Sequence, residues 1–225
     1  MQAEFRCLAI ENAAGRGSIA LGSAGDCIER ALPAAAQGSR PVFLTIAALL
    51  AEAGWRLATL DCIGFGCGPG AFTGLRVAAA VTQALAYGAG LPVCRVSSLE
   101  TLAAGALRLG VAGPIAACLD ARMGEVYAAC YAAEAGGLSL LAPEQVLPPA
   151  RFELPGRARY AAVGPGWAAC PELERRLAAR LSEVRPELLP MARDLLPLAA
   201  QAWREGRLLA AADALPNYLR DQVAG

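Results

Sequence analysis

A glycine- and proline-rich junction, Gly66-Cys67-Gly68-Pro69-Gly70-Ala71-Phe72-Thr73-Gly74-Leu75-Arg76, does most to limit how this chain can fold. Upstream runs an apolar, strand-like segment, Leu60 to Phe65; downstream, Val77 to Tyr87 is alanine-rich with helical spacing. A strand must therefore turn tightly into a helix here, a geometry that elsewhere cradles phosphates with backbone N–H groups and the helix dipole. The residues contradict that use. A Walker loop closes on Gly-Lys-Ser/Thr, whereas Gly74 is followed by Leu75 and Arg76. A dinucleotide fingerprint needs an acidic residue about 20 positions on, at the end of a second strand, and none stands there. Gly68, Pro69, Gly70 and Gly74 are accordingly read as a structural turn that positions a helix.

What the chain lacks narrows its chemistry further. It has no histidine, and all 20 of its basic residues are arginine. This excludes His metal ligands and general bases, Ser-His-Asp triads, Schiff-base lysines and the P-loop lysine. A codon bias toward Ala, Arg and Gly accounts for the missing lysine, but it does not remove a histidine that catalysis requires. No catalytic residue and no metal ligand is therefore assigned. The 20 acidic residues balance the arginines, so no overall positive field draws the chain to nucleic acid. Any contact with RNA is expected to come through another subunit.

A hydrophobic content of 56% over 225 residues suits one large domain or two small ones. The eight cysteines are scattered in apolar runs without a C-x-x-C pair, as small core residues of a reduced cytosolic protein would be. Glu4 and Arg6 interrupt the N-terminus where a signal peptide needs its apolar stretch. Val77 to Val93 is apolar, but it carries Thr82 and Gln83 and is broken by Gly88, Gly90 and Pro92, so no membrane span is expected.

Three short strands open the chain: Phe5 to Ile10, Gly17 to Leu21 and Cys27 to Ala31. A helix from Pro41 to Ala53, a strand at 60–66, a helix at 73–88 and a strand at 92–96 follow. Another helix starts at Ser98, where Ser97 and Glu100 have capping-box spacing. A second unit begins near Pro114, with strands Ile115 to Asp120, Val126 to Tyr131 and Leu138 to Leu141. After it come strand Tyr160 to Val163, a Gly164-Pro165-Gly166 turn, and helices Pro171 to Leu181 and Arg193 to Arg204. A β-meander followed by alternating helices and strands, repeated in reduced form, resembles the two-lobed actin/sugar-kinase/heat-shock-chaperone (ASKHA, ribonuclease H-like) α/β architecture. The first domain is placed at 1–110. The second, smaller one covers 111–225, with a C-terminal tail free to return to the first.

Two helices look like more than core cover. At about 100° per residue, Val77, Val81 and Leu85 face the sheet. Thr73, Leu75, Arg76, Ala79, Ala80, Gln83 and Tyr87 fall outside that arc. On the helix at 41–53, Val42, Phe43, Ile46, Leu49 and Leu50 share one arc, leaving Leu44, Ala47, Ala48 and Ala51 away from it. Small apolar residues on an outer helix face allow close helix–helix packing, so these residues are assigned to a partner interface.

The junction, with Val96-Ser97-Ser98-Leu99-Glu100 downstream, resembles the signature of the TsaB (YeaZ) family. Asp120-Ala121-Arg122-Met123-Gly124-Glu125-Val126-Tyr127, Gly164-Pro165-Gly166-Trp167 and Pro216-Asn217-Tyr218-Leu219-Arg220 support the likeness. The resemblance implies a non-catalytic subunit that pairs with a larger homologue, TsaD. That homologue holds the metal and transfers a threonylcarbamoyl group to an adenosine beside the tRNA anticodon. It also implies a TsaE-type ATPase in the assembly, homodimerisation of the subunit alone, a cytoplasmic location and no membrane. No cofactor is implied for the subunit itself; any ATP belongs to the assembled complex. Relatives carry Asp-Thr-Ser where this chain has Glu11-Asn12-Ala13, so Glu11 and Asn12 are read as a vestigial nucleotide loop without the hydroxyl donors. The competing readings are an ATP-dependent phosphotransferase and a glycopeptidase-like enzyme of the same fold.

Overall fold

The computed structural model describes residues 5–23, 26–33, 38–134 and 137–220. In it the first three strands, β1 (Cys7–Glu11), β2 (Ser18–Gly22) and β3 (Cys27–Ala31), form an antiparallel meander. Strand β4 (Cys62–Gly66) then pairs parallel to β1, and β5 (Val93–Val96) parallel to β4. The sheet order is β3-β2-β1-β4-β5. The second unit repeats this plan. Strands β6 (Ile115–Arg122), β7 (Glu125–Glu134) and β8 (Gly137–Leu147) form the meander, and β9 (Tyr160–Val163) and β10 (Leu181–Arg185) add in parallel, giving β10-β9-β6-β7-β8. Two sheets with one strand order make this the two-lobed ASKHA architecture.

Helices α1 (Arg40–Ala53) and α2 (Phe72–Ala89) cover one face of the first sheet. Alternation along the strands explains why. Leu8, Ile10, Ile19, Leu21, Ile63 and Phe65 point to these helices, while Cys7, Ala9, Ala20, Cys62 and Cys94 point to the opposite face. The second lobe is thinner. Its β8-to-β9 connection holds only the 3-10 turn Pro149–Arg151, and two short helices, α4 (Pro165–Ala169) and α5 (Pro171–Leu177), carry the next one.

The last helix of each unit covers the other unit's sheet. Helix α3 (Ser98–Arg108) leaves the first sheet but packs Leu99, Leu102, Ala103 and Ala106 on Ile115, Ala117 and Val163 of the second. Helix α6 (Ala192–Arg204) packs Leu195, Leu196 and Ala199 on the small-residue face of the first sheet. Helix 193–204 follows the second unit's strands in the chain but packs on the first sheet. The face beneath it is built from Cys and Ala side chains, which let a helix lie close. All eight cysteines are free thiols, seven of them buried.

Strand β2 and its neighbour hold the start of α6. The Ser18 hydroxyl accepts from Ala192 N at 2.8 Å, and Glu29 Oε1 accepts from Arg193 N at 3.1 Å, placing a carboxylate at the helix N-terminus. Farther along, α3 and α6 are joined across the lobes. Arg108 Nε donates to Asp194 Oδ1 at 2.5 Å and its Nη2 to Oδ2 at 3.2 Å. The Asp194 side chain is 2% exposed and that of Arg108 43%. Removing the arginine leaves a buried carboxylate unpaired, whereas removing the acid leaves a guanidinium that water can reach. Urea denaturation should therefore show Arg108→Ala losing about 2 kcal/mol, and Asp194→Asn losing less. The opposite ranking would contradict this account.

Three local readings differ from the structure. The helix begun at Pro171 ends at Leu177, and a 3-10 turn leads into β10 at Leu181. The Gly164-Pro165-Gly166 turn opens α4, with Gly164 at φ 102 and Pro165 in the first turn, where a missing N–H costs nothing. Strand β8 continues past Leu141 to Leu147 through Pro143, which an edge strand tolerates. The Ser97 cap is present: its hydroxyl accepts from Leu99 N at 3.1 Å and Glu100 N at 3.3 Å.

Candidate docking face and interlobe junction

The junction brings β1, β4, α2 and α3 to one point. Glu11, at the end of β1, is wholly buried. Its Oε1 accepts from Ala13 N at 2.8 Å, and the Ser98 hydroxyl donates to Oε2 at 3.0 Å. The carboxylate occupies the space over Gly66, where a Cβ would lie 1.9 Å from Oε2. Burial pushes the Glu11 carboxyl up from its ordinary 4.5 to about 7, against the N–H and hydroxyl donors that lower it. Asn12 faces the other way, its Nδ2 donating to Gly74 O at 3.3 Å. The loop read as a nucleotide remnant is therefore stitched to the start of α2 and to α3. Between the lobes lies a cavity of about 340 Å³, and of this loop only Ala13, Ala14 and Gly15 line it.

The structural residues of the turn have defined tasks. Gly68 and Pro69 are joined by a cis peptide bond. Gly68 O accepts from Ser98 N at 2.9 Å, linking the turn to α3. Gly74 brings α2 against the backbone of the β1–β2 loop, since a Cβ there would lie 2.0 Å from Asn12 O. Cys67, the one thiol in the junction, is buried, and burial pushes it up to about 11, so it is protonated and a poor nucleophile at neutral pH. Among the described residues no three His, Cys, Asp or Glu side chains converge as metal ligands would.

Most of the interface residues assigned from sequence are exposed on the same side of the first lobe. Leu44 (62% exposed), Ala47, Ala48 and Ala51 line the outside of α1; Thr73, Arg76, Ala80 and Tyr87 (86% exposed) line that of α2, with Gln83 half-buried. Two do not belong there. Leu75 and Ala79 are 1% and 5% exposed: the start of α2 turns Leu75 inward beside Gly68, and Ala79 belongs to the core of the first sheet. Conversely, Phe43, expected in the core arc, is 38% exposed and joins the face.

Sequence reasoning also missed Phe72 and Tyr218. Their rings lie 5.4 Å apart, and the Arg76 guanidinium sits 3.7 Å over Phe72. Only the presence of aromatics beside Arg76 and in the tail hinted at this, since 142 residues separate Arg76 from Tyr218. Among the described residues no helix is long and apolar enough to cross a membrane.

Comparison with known proteins agrees with this architecture. Residues 34–224 match the family model of TsaD, described as tRNA N6-adenosine threonylcarbamoyltransferase. The tRNA threonylcarbamoyladenosine biosynthesis protein TsaB of Escherichia coli K12 is 37% identical over 229 residues, covering 98% of this chain and 96% of its own length. The protein of the same name from Haemophilus influenzae is 35% identical, covering 78% of this chain and 76% of its own. The solved structure of YeaZ from Pseudomonas aeruginosa superposes with a TM-score of 0.86 at 37% identity, over 96% of this chain and 100% of that one. With its duplicated sheets, its glycine junction and near full-length likeness to these proteins, the chain belongs to the TsaB (YeaZ) family.

Proposed function

We propose that this protein is the non-catalytic partner of a larger TsaD-type subunit in threonylcarbamoylation of the adenosine next to the tRNA anticodon. The observation that carries this reading is the outer side of α1 and α2, where among the described residues Leu44, Ala47, Ala48, Ala51, Ala80 and Tyr87 stand exposed. Small side chains let a second helix pair approach closely, and an extended apolar face on one lobe marks an interface. The match of this chain to the TsaD family model makes a homologous subunit the natural occupant. The same face serves a homodimer when the protein is alone. A TsaE-type ATPase joins the assembly, tRNA is met only through the complex, and the work is done in the cytoplasm. Reactive groups and any bound ATP reside in the neighbours, since the acid of the first loop is sealed against Ser98.

The test is to place a large charge on the face. Ala47→Arg and Ala80→Arg should keep the wild-type melting temperature and circular dichroism. Each should weaken pairing with the TsaD-type subunit at least about 100-fold, as a buried, unpaired guanidinium at an interface centre would. Titration calorimetry reads the result. Wild-type affinity in both variants would overturn the proposed face.

A further inference from the structure

After α6 the chain crosses back over the first lobe and ends the described region as a strap between the lobes. Its first part is anchored on α2. The 3-10 turn Ala211–Asp213 packs against that helix, Gln83 Nε2 donates to Ala212 O at 3.4 Å, and Ala214 is fully buried in the core beneath it. Its middle is tied to the junction, where Asn217 N donates to Cys67 O at 2.7 Å. Its end is held by the second lobe. Asn217 Nδ2 donates to Glu144 Oε2 at 3.4 Å, and Arg220 pairs with Glu125 and reaches Met123 Sδ at 3.7 Å. The residues 217–220 form one wall of the interlobe cavity.

The strap also shows itself to solvent beside the docking face. Leu215 is 55% and Tyr218 41% exposed, and the Tyr218 ring lies against Phe72 at the start of α2, with Arg76 Nε donating to its hydroxyl at 3.4 Å. Phe72, Arg76 and Tyr218 thus continue the exposed side of α2 without a break. An aromatic pair capped by a guanidinium is the kind of anchor that concentrates binding energy.

We propose that the strap Leu215–Arg220 is a third element of the docking face, gripped by the same TsaD-type subunit, and that it ties docking to the spacing of the lobes. This rests on the docking reading given above. A partner that packs on Tyr218 holds the strap in the position in which Arg220 meets Glu125. By linkage, the Arg220–Glu125 pair in turn favours the docked state, although it lies on the other lobe. The polar ties supply orientation and the exposed aromatics supply contact.

Calorimetric titration of the purified full-length protein with the TsaD-type subunit of the same organism tests this. Tyr218→Ala should weaken pairing by about tenfold. Arg220→Ala and Glu125→Gln should each weaken it about threefold through loosening of the strap. The charge-swapped double variant Arg220→Glu/Glu125→Arg should return to within about twofold of wild type, which a direct contact of Arg220 with the partner would not permit. Thermal unfolding of each variant shows that the lobes remain folded. If Tyr218→Ala and Arg220→Ala pair as tightly as wild type while Ala47→Arg abolishes pairing, the strap inference is overturned and the helical face stands. If the strap variants lose pairing while Ala47→Arg and Ala80→Arg keep it, the helical face is overturned, and with it the strap's role as its extension.

Discussion

Gly74→Ala should lower the melting temperature by roughly 10 °C and the unfolding free energy by roughly 4 kcal/mol. The effect runs against helix propensity, which favours alanine over glycine by about 1 kcal/mol. What reverses the sign is backbone contact. The added methyl would lie 2.0 Å from Asn12 O and 3.2 Å from Asn12 C, and neither can rotate aside as a side-chain tip could. Either α2 retreats from the β1–β2 loop or the loop gives up the bond from Asn12 Nδ2 to Gly74 O. Because Leu75 and Ala78 sit on the same turn and are buried, a retreat also opens the core. Gly88→Ala is the matched control, since it lies in the same helix and a Cβ there meets nothing within 4 Å. A melting temperature for Gly74→Ala within about 2 °C of wild type would show that the close approach is not a constraint.

Glu11→Gln should flatten the dependence of stability on pH. The folded carboxyl titrates near 7 against an ordinary 4.5, because burial disfavours its charged form. Between those values the folded chain keeps a proton that the unfolded chain has released. Stability therefore falls as pH rises from about 4.5, and the loss is complete above about 7, reaching about 3 kcal/mol. Glutamine retains an acceptor for Ala13 N and can donate to the Ser98 hydroxyl, so it keeps the local bonding without the charge. Urea denaturation at pH 5, 6, 7 and 8 should show the variant gaining on the wild type with each step and exceeding it at pH 8. Burial also raises Glu100 and Glu144, but they are present in both proteins, so the difference isolates Glu11. Parallel pH profiles would refute the buried-acid account.

The repeated strand order was legible because each strand is short, apolar and bounded by turn residues. Tyr160–Val163 and Cys27–Ala31 have the bounds their sequences suggest. The Gly68–Gly74 turn was legible for the same local reason, as was the Ser97 cap. β10 was not. Leu181-Ser182-Glu183-Val184-Arg185 has the polar content of an edge strand and follows a leucine-spaced helix without a break. The crossing of α3 and α6 to the opposite sheets could not be read at all, since the sequence gives each helix an apolar face without naming the sheet it meets. The exposed outer side of α1 and α2 was half legible. Helical periodicity placed Leu44, Ala47 and Tyr87 outside, where they are exposed, but it also placed Leu75 and Ala79 there, which are buried beside Gly68 and in the first-sheet core respectively. Glu11 and Asn12 were singled out from the family pattern, yet it is the fold that closes the acid against Ser98, 87 residues away.

The crossed terminal helices bear on synthesis. A ribosome that has made the first five strands has not yet made the cover for Cys7, Ala9, Cys62 and Cys94, because that cover is α6, about 100 residues farther along. The nascent amino-terminal half must therefore wait, with one side of its sheet wet, until residues 192–204 have emerged. Maturation of the two halves is a single closing event, and an amino-terminal fragment ending at residue 110 would lack one wall of its own interior.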